Sequence, residues 1–395
     1  MYNFDKPVDR RGTGAYKYER MDRVFGRKDL QPMWVADMEF ETPDFIVDAL
    51  RKRLEHHIFG YPITPDDFAP AIKKWEKDRH GWEIEEEWID FVPGIVKGIG
   101  MAVRAMLKPG EKVVIQPPVY HPFRLVPQDC GYEVVFNPML QNEDGSYRMD
   151  LEGLDKLLEN DKLCKMLILC NPHNPAGIVW DRETLKALAL ICHKHGVLVI
   201  SDEIHCDMAL FGHKHIPFAS VCKEAEQGSI TFAAPSKTFN IAGIVSSHAI
   251  VPNKDIRDKF FGWMEACEMN DPGIFPPIAT IAAFTKGESW RQELIKYLEN
   301  NVLAVEEFCR ERLPEIKPLR PQASFLIWLD CRGLGLSHKE LVNLFVEEAR
   351  LGLNDGAMFG KEGTGYMRFN IGASRTFVLE ALEKLEKAVI KCCRK

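Results

Sequence analysis

Four short apolar runs, each followed at once by polar residues, constrain the fold of this 395-residue chain more than any other feature. Continuous apolarity over about four to eight residues is typical of strands buried on both faces, as in a parallel sheet. Helical patterns lie between the runs, and one of them starts at the N-cap candidate Asp181 and stops before Gly196. Alternating strands and helices predict an α/β fold with a doubly wound sheet. The four runs are Lys112–Ile115, Met166–Leu169, Val197–Ile200 and Ile230–Ala233.

The polar residues that follow these runs are expected to lie close together. A doubly wound sheet binds its ligands at the carboxyl ends of its strands. The sequence therefore predicts a site at one edge of the sheet, built from four separate segments. In chain order these segments contribute Tyr120, Asn174, Asp202 and Lys237.

Lys237 is the most reactive candidate among them. It lies just after the fourth run, between the turn-forming residues Pro235 and Gly243. A lysine anchored at a strand end is partly desolvated, which lowers its pKa and frees the amine to form a Schiff base. The alternative is an ordinary solvated charge, because most lysines are exposed.

The other strand-end residues match the needs of pyridoxal 5'-phosphate, which requires an acid, a ring-stacking group and a phosphate cradle besides the lysine. Asp202 ends a buried strand, where a low dielectric strengthens its pairing with a pyridinium nitrogen; the alternative is a helix cap. Asn174 is a candidate for hydrogen bonding the cofactor's phenolic oxygen, although Asn-Pro and Gly also mark plain turns. Tyr120 is a candidate for stacking on the ring, or for filling the core.

Two further segments complete this set. The segment from Pro93 to Gly100 opens a predicted helix whose free backbone N–H groups suit a phosphate, although a Gly-rich helix start is a weak signal by itself. Arg368 lies in an apolar strand-like segment and needs an anionic partner, either a substrate α-carboxylate or a structural salt bridge. Together with Lys237, these residues predict a pyridoxal phosphate site for an amino acid.

Charge and composition argue against several other classes of protein. The net charge of -7 gives no reason to expect nucleic acid, and no apolar run reaches the roughly 18 residues of a membrane span. The N-terminal residues lack the apolar core of a signal peptide. The eleven scattered cysteines favour thiols in a reducing cytosol, and neither Cys192-x-x-His195 nor Cys392-Cys393 has partners at zinc-ligand spacing. We therefore expect a cytoplasmic protein without a metal.

The last third of the chain changes character. A long helical stretch from Trp290 to Leu313 precedes two strand-like segments, 324–329 and 366–371, which alternate with helical patterns. This arrangement predicts a second, smaller α+β domain. The first forty or so residues are rich in Gly, Pro and charge and are expected to form an extended arm.

The residues resemble the aspartate-aminotransferase (fold-type I, class I/II aminotransferase) superfamily of pyridoxal phosphate enzymes. Within it they are most similar to the bacterial cystathionine β-lyase, or C–S lyase, branch. The segments 201–205 (Ser-Asp-Glu-Ile-His) and 236–243 (Ser-Lys-Thr-Phe-Asn-Ile-Ala-Gly) are specific to that branch. The matching blocks run in family order over nearly the whole chain, and they begin at Trp34, Phe59, Pro117, Asn171, Ser201, Ser236 and Phe359.

The resemblance implies an aspartate-aminotransferase-like fold with three parts. Residues 1–45 would form the N-terminal arm and part of the small domain. Residues 46–285 would form the large cofactor-binding domain with its mixed, doubly wound sheet, and residues 286–395 the small C-terminal domain. The active unit would be a homodimer.

The resemblance also implies a role for each site residue. Lys237 would carry the cofactor, Asp202 would pair with the pyridine nitrogen, and Arg368 would hold the substrate carboxylate. Ala36 would offer a backbone contact to the same carboxylate, and Tyr61 would reach the phosphate and substrate from the neighbouring subunit. The remaining cofactor contacts would be Asn174, Tyr120, the backbone N–H groups of Ile95 and Val96, Ser236 and His205.

The sequence departs from the aminotransferase pattern at three positions. Ala234 replaces a phosphate-binding serine, and the run 244–247 lacks the arginine found about eight residues after the lysine. His205 stands where many aminotransferases have a tyrosine that contacts the phenolic oxygen. Ser236 or Ser246 would then anchor the phosphate, and the differences point away from an aspartate aminotransferase.

The implied reaction is α,β-elimination of L-cystathionine or a related cysteine S-conjugate to a thiol, pyruvate and ammonia. Lys237 would remove the Cα proton, and Tyr120 would assist proton transfer to the sulfur.

An aminotransferase using the same cofactor is the nearest alternative, and it would need a keto-acid acceptor. The intact Lys237 argues against a non-enzymatic binding protein. In a metal-dependent hydrolase the ligands would be Glu203, His205, Asp207 and His213. The sequence lacks the helical His pair that is typical of such enzymes.

Overall fold

Strands and α-helices alternate along residues 2–393, the part of the chain that the computed structural model describes. The strands are β1 Gln31–Pro32, β2 Ile89–Val92, β3 Lys112–Ile115, β4 Glu133–Phe136, β5 Leu140–Gln141, β6 Tyr147–Arg148, β7 Cys164–Cys170, β8 Leu198–Asp202, β9 Ser229–Ala233, β10 Ser247–Ile250, β11 Lys317–Leu319, β12 Leu326–Asp330, β13 Leu351–Gly352, β14 Asn354–Asp355 and β15 Tyr366–Asn370. The helices are α1 Tyr16–Glu19, α2 Met21–Phe25, α3 Asp44–Leu54, α4 Phe68–His80, α5 Ile95–Met106, α6 Pro122–Asp129, α7 Leu151–Asn160, α8 Arg182–His195, α9 Lys223–Gln227, α10 Lys254–Ala266, α11 Phe275–Lys286, α12 Glu288–Arg312, α13 His338–Asn343 and α14 Arg375–Cys392.

A seven-stranded mixed sheet with strand order β2-β10-β9-β8-β7-β3-β4 forms the centre of the fold. The strands from β9 to β4 in this order run parallel, whereas β10 is antiparallel to both of its neighbours. The four apolar runs of the sequence are β3, β7, β8 and β9, which are adjacent in the sheet. The predicted α/β fold with a mixed, doubly wound sheet is confirmed.

Both faces of this sheet are apolar because helices cover both. In β7, Met166 and Ile168 pack into the core that includes α5 and α10, whereas Leu167 and Leu169 pack into the core that includes α7 and α8. Side chains alternate between the two faces of a strand, so a strand covered on both sides needs an uninterrupted apolar run. Asp181 caps α8 as predicted by accepting a hydrogen bond from the Thr184 N–H at 2.8 Å.

A second, antiparallel sheet with strand order β11-β12-β15-β14 lies in the last third of the chain. Leu294 of α12 and Leu382 of α14 share one hydrophobic core with its strands, as expected of a smaller α+β unit. The division of the chain at residues 45 and 285 stays a prediction.

The N-terminal arm is less extended than predicted, because it contains α1 and α2. These short helices form where Met21 packs against Leu30 and Val346. Strand β1 then pairs in parallel with β13, which joins the arm to the C-terminal part of the chain. No helix among the described residues has the length and apolarity needed to cross a membrane, and the cysteines of that part form no disulfide.

Candidate active site

The segments that follow β3, β7 and β8 meet at the carboxyl edge of the central sheet, as predicted. The Tyr120 N–H donates to the Asn174 carbonyl at 3.1 Å, and the Asn171 N–H donates to the Asp202 carbonyl at 2.9 Å. Arg368 reaches this edge from β15 and donates to Asn174 Oδ1 at 2.9 Å. Residues far apart in sequence therefore share one site.

Lys237 lies in the turn after β9, and its amine is held by the N-terminal arm. Its Nζ donates to the Ala36 carbonyl at 2.6 Å. Burial lowers the pKa of this amine to about 8, and the positive charge of Arg368 acts in the same direction, while Asp37 and Asp202 oppose the shift. A considerable fraction of the amine is therefore neutral, and so nucleophilic, near neutral pH.

Asp202 is a buried carboxylate to which no cationic side chain of residues 2–393 is bonded. Its side chain is 5% exposed, and Oδ1 accepts a hydrogen bond from the Ile204 N–H at 3.1 Å. Burial raises its pKa to about 7, an effect that the nearby Lys237 amine only partly offsets. A cationic group brought against this carboxylate would restore its ionised form.

Arg368 is a buried guanidinium that pairs with no carboxylate in the described part of the chain. It donates to Asn174 Oδ1, to Asn354 Oδ1 at 2.6 Å and to the Trp34 carbonyl at 3.2 Å. Its Nε has no hydrogen-bond partner within residues 2–393, and burial lowers its pKa to about 10. The alternative of a structural salt bridge is therefore wrong for residues 2–393, and an anion from outside the chain would complete the site.

Two neutral side chains flank these charges. Burial raises the pKa of the Tyr120 phenol, so it keeps its proton and remains a hydrogen-bond donor. Burial lowers the pKa of His205 to about 3, and its Nδ1 has no hydrogen-bond partner. Both groups can therefore meet a ligand without adding charge.

The start of α5 is available to a phosphate. The first helical hydrogen bond here runs from the Gly98 N–H to the Gly94 carbonyl at 2.9 Å, so the N–H groups of Ile95 and Val96 precede it. Gly94 has φ of +102°, a backbone conformation that residues other than glycine rarely adopt.

Of the two hydroxyls considered as phosphate anchors, that of Ser246 is already engaged. It pairs with the Thr280 hydroxyl and donates to the Pro276 carbonyl at 3.3 Å, which directs it towards α11. Ser236 is also buried, and its hydroxyl stays the predicted anchor.

Sequence reasoning missed two asparagines that fasten residues 34–40, which we call the strap, over the site. Asn240 accepts from the Met38 N–H at 2.9 Å and donates to the Phe40 carbonyl at 2.7 Å. Asn370 donates to the Val35 and Asp37 carbonyls at 2.5 and 2.8 Å. Asn370 lies two residues after Arg368 on the same strand. Because side chains alternate between the two faces of a strand, this spacing indicates that both lie on one face.

A buried ion network on the strap was also missed. Lys17 is 2% exposed, and its amine lies 2.7 Å from Glu39 Oε1 and 3.3 Å from Asp37 Oδ1. Arg10 donates to the other oxygen of Asp37 at 2.7 Å. The network fixes Asp37 beside the residue whose carbonyl holds Lys237.

Two sequence-based expectations fall outside this constellation. Tyr61 is fully exposed in the single chain, and the structure does not test its predicted contact across a dimer. The four candidate hydrolase ligands are not gathered into one metal-type group among residues 2–393, and Glu203 is hydrogen-bonded to Ser201 and His215 instead. Among residues 2–393 the metal-type group consists of His80, Cys206 and Asp207.

The charges of the site fit pyridoxal phosphate. Asp202 lacks a cation that a ring nitrogen would supply, and Arg368 lacks an anion that an amino-acid carboxylate would supply. The free N–H groups of α5 suit the phosphate, and Lys237 offers the amine for the aldehyde carbon. Asp202 and Arg368, whose charged forms burial disfavours, would thus each meet a complementary charge on the cofactor or its substrate.

Comparisons with known proteins agree with this assignment. The family model "Aminotransferase class I and II" matches residues 34–385. The chain is 43% identical to the cystathionine β-lyase PatB of Bacillus subtilis, covering 98% of this chain and 100% of that protein.

Two solved structures share the whole fold. Cystalysin from Treponema denticola, which contains pyridoxal 5'-phosphate, has a TM-score of 0.95 and 33% identity over 99% of both chains. A pyridoxal phosphate-bound Clostridium difficile protein, provisionally named as an aminotransferase, has a TM-score of 0.96 and 39% identity over 98% of this chain and 100% of that one.

Proposed function

This chain belongs to the class I and II aminotransferase family, and from that premise we propose that it is a pyridoxal phosphate-dependent carbon–sulfur β-lyase. Its substrates would be L-cystathionine or related cysteine S-conjugates, and its products a thiol, pyruvate and ammonia. The assignment as a lyase is supported by the 43% identity to a protein named cystathionine β-lyase, over nearly the full length of both chains.

One observation carries the proposal: Lys237, Asp202 and Arg368 are each disfavoured in their charged form by burial at one sheet edge. Perturbed groups of this kind cluster at functional sites. The bound cofactor supplies an electron sink for the negative charge that develops at the substrate Cα.

The residues of this chain would orient the substrate and move its protons. Arg368 would bind the α-carboxylate with its unpaired donors, which fixes the Cα–H bond relative to the Lys237 amine. That amine, with its lowered pKa, would take the Cα proton. The neutral phenol of Tyr120 would donate a proton to the leaving sulfur. Asp202 would hold the ring nitrogen in its protonated form.

Product analysis tests this function against its nearest alternative. Purified holoenzyme incubated with L-cystathionine and no keto acid should release pyruvate, ammonia and thiol in equal amounts. If the protein is an aminotransferase, pyruvate and thiol stay absent, and amino-group transfer appears only after a keto acid is added. The second pattern would reject the lyase assignment.

Replacing the carboxylate clamp should weaken substrate binding more than catalysis. Because glutamine keeps one donor group, Arg368→Gln removes roughly one charge-assisted hydrogen bond of about 1.5–3 kcal/mol, so kcat/KM should fall about 10- to 100-fold, mainly through KM. Steady-state kinetics measure this split. Arg332→Gln, which changes an arginine paired with Asp330 outside the site, should leave both constants unchanged; equal losses in the two variants would contradict the assigned role.

Cofactor uptake should depend on pH in a way that reflects the buried amine. Only the neutral amine attacks an aldehyde, and burial lowers the Lys237 pKa from 10.5 to about 8. The rate at which apoprotein takes up pyridoxal phosphate, followed by absorbance, should therefore rise with pH through a midpoint near 8. A small-molecule lysine analogue in the same buffers provides the control; a protein midpoint equal to that of the analogue would contradict the shift.

A homodimer is the proposed active unit. Phe59, Tyr61 and Ile63 lie in one exposed segment, and adjacent exposed apolar side chains are typical of an interaction surface. Sedimentation should give twice the chain mass. Tyr61→Ala should weaken cofactor retention in a dimer of unchanged mass, whereas unchanged retention would argue against a role across the interface.

A further inference from the structure

A second group of chemically active side chains is formed by the end of α4 and the segment that follows β8. His80 is the last residue of α4, while Cys206 and Asp207 follow His205 in the chain. The imidazole of His80 and the carboxylate of Asp207 are 3% and 2% exposed, and Cys206 is 5% exposed. One ligand atom from each lies within 4.8 Å of the other two.

One pair of ligand atoms in this group is spaced as in a tetrahedral metal site. A zinc ion bonded at about 2.0 Å to a nitrogen and an oxygen holds those two atoms about 3.3 Å apart. His80 Nε2 and Asp207 Oδ1 are 3.1 Å apart. The Trp75 indole also donates to Oδ1, at 2.9 Å, which fixes the carboxylate and leaves Oδ2 without a hydrogen bond among the described residues.

The three side chains line a cleft, so an ion can reach them. The cleft has a volume of about 260 Å3 and includes His213 and His215 on its wall. A three-ligand set of nitrogen, sulfur and oxygen that opens to solvent leaves the fourth position for water. Arg79 and Arg291 also line the cleft and share the single carboxylate of Glu288, so the two arginines carry one positive charge more than that carboxylate balances. Arg291 also donates to the Asp207 carbonyl at 3.0 Å.

The surroundings favour a cation further. Glu76, at 4% exposure, is a buried carboxylate close to Asp207, whereas Glu203, at 2%, is paired with His215 at 2.6 Å. His248 is 1% exposed and lies near the Asp207 carboxylate. Neither of its ring nitrogens has a hydrogen-bond partner among the residues that the structure describes. Two buried acids, Glu76 and Asp207, and a histidine without a hydrogen-bond partner among the described residues form a polar interior that a divalent ion would stabilise.

We propose that His80, Cys206 and Asp207 bind one divalent transition-metal ion, of which Zn²⁺ fits the mixed ligand set best, at a site separate from the cofactor. On binding, the Cys206 thiol releases its proton to solvent, and His80 gives up the proton that its Nε2 shares with Asp207. The freed sulfur and nitrogen then form coordinate bonds to the metal. The ion takes the place of the His80–Asp207 hydrogen bond and ties α4 to the segment that follows β8.

Zinc binding by the holoenzyme tests the proposal. Protein treated with a chelator and dialysed against Zn²⁺ should retain one tightly bound equivalent per chain, measured by elemental analysis and by titration calorimetry. In Cys206→Ala the affinity for zinc should fall at least about tenfold, so the tightly bound equivalent is lost. Cys267→Ala, which removes an exposed thiol, should keep it. Equal zinc content in wild type and Cys206→Ala, or no tight equivalent in wild type, would overturn the site.

Two further readouts do not depend on whether the Cys206 variant folds. X-ray absorption of the zinc-loaded wild type should show one sulfur at about 2.3 Å and nitrogen or oxygen ligands at about 2.0–2.2 Å; a shell without sulfur would overturn the assignment. Zinc should also raise the unfolding temperature of the wild type, because an ion bound only to the folded state stabilises it. An unfolding temperature that zinc leaves unchanged would contradict the proposal.

Discussion

Lys237→Ala is expected to lower the lyase rate by at least about 10³-fold while the protein stays folded. The substitution removes both the amine that attaches the cofactor and the group that takes the Cα proton, and a positioned general base alone contributes about 10²–10⁴. Pyruvate release under saturating cystathionine measures the loss. Because the effect is lost chemistry and not lost folding, circular dichroism and the unfolding midpoint should remain close to those of the wild type.

A matched lysine shows whether the loss is specific. Lys186 lies exposed on α8, and Lys186→Ala should retain wild-type activity. A Lys237→Ala protein that keeps more than about a tenth of the activity would remove Lys237 from the mechanism, since no other step in the account could compensate on that scale.

Asp202→Asn is expected to produce the second largest effect. Asparagine has the shape of aspartate but cannot carry the negative charge that holds the ring nitrogen protonated. Removing one partner of a buried ion pair costs about 3–5 kcal/mol, which corresponds to roughly 10²- to 10³-fold in kcat/KM. The cofactor should still bind, because Lys237 and the start of α5 are unchanged, and absorbance will verify its content.

The control for this substitution is a carboxylate with a purely structural role. Asp181 caps α8, and asparagine is an equally good N-cap, so Asp181→Asn should leave activity and stability unchanged. If Asp202→Asn retains full activity with cofactor bound, the proposed pairing with the ring nitrogen is wrong.

The central sheet and the position of its site followed from local patterns. A strand covered on both faces must be apolar throughout, so β3, β7, β8 and β9 were visible in the sequence. Parallel strands then place the residues that follow them at one edge. This topological rule is why Asp202 and Asn174 could be predicted as neighbours although they are separated in the chain.

The strap and its ion network could not be predicted in the same way. Lys17 is buried because Glu39 and Asp37 surround it, and nothing in the local sequence distinguishes it from a surface lysine. The amine of Lys237 likewise bonds to Ala36 from about two hundred residues away. Such contacts depend on how the arm lies across the sheet, which periodicity does not determine.

Arg368 falls between these two cases. Its place in an apolar strand showed that it needs a partner, but the sequence left a salt bridge and a substrate carboxylate equally open. Only the packed structure, in which neutral oxygens surround the guanidinium, distinguishes between them. Burial without a counterion is a property of three-dimensional packing.

Chemical trapping of the cofactor tests the central claim most directly. Holoenzyme reduced with borohydride should carry the cofactor on a secondary amine that survives proteolysis, and peptide mass spectrometry will locate it. We expect one modification per chain, on the peptide that contains Lys237. A modification on another lysine, or an active holoenzyme with none on Lys237, would contradict it.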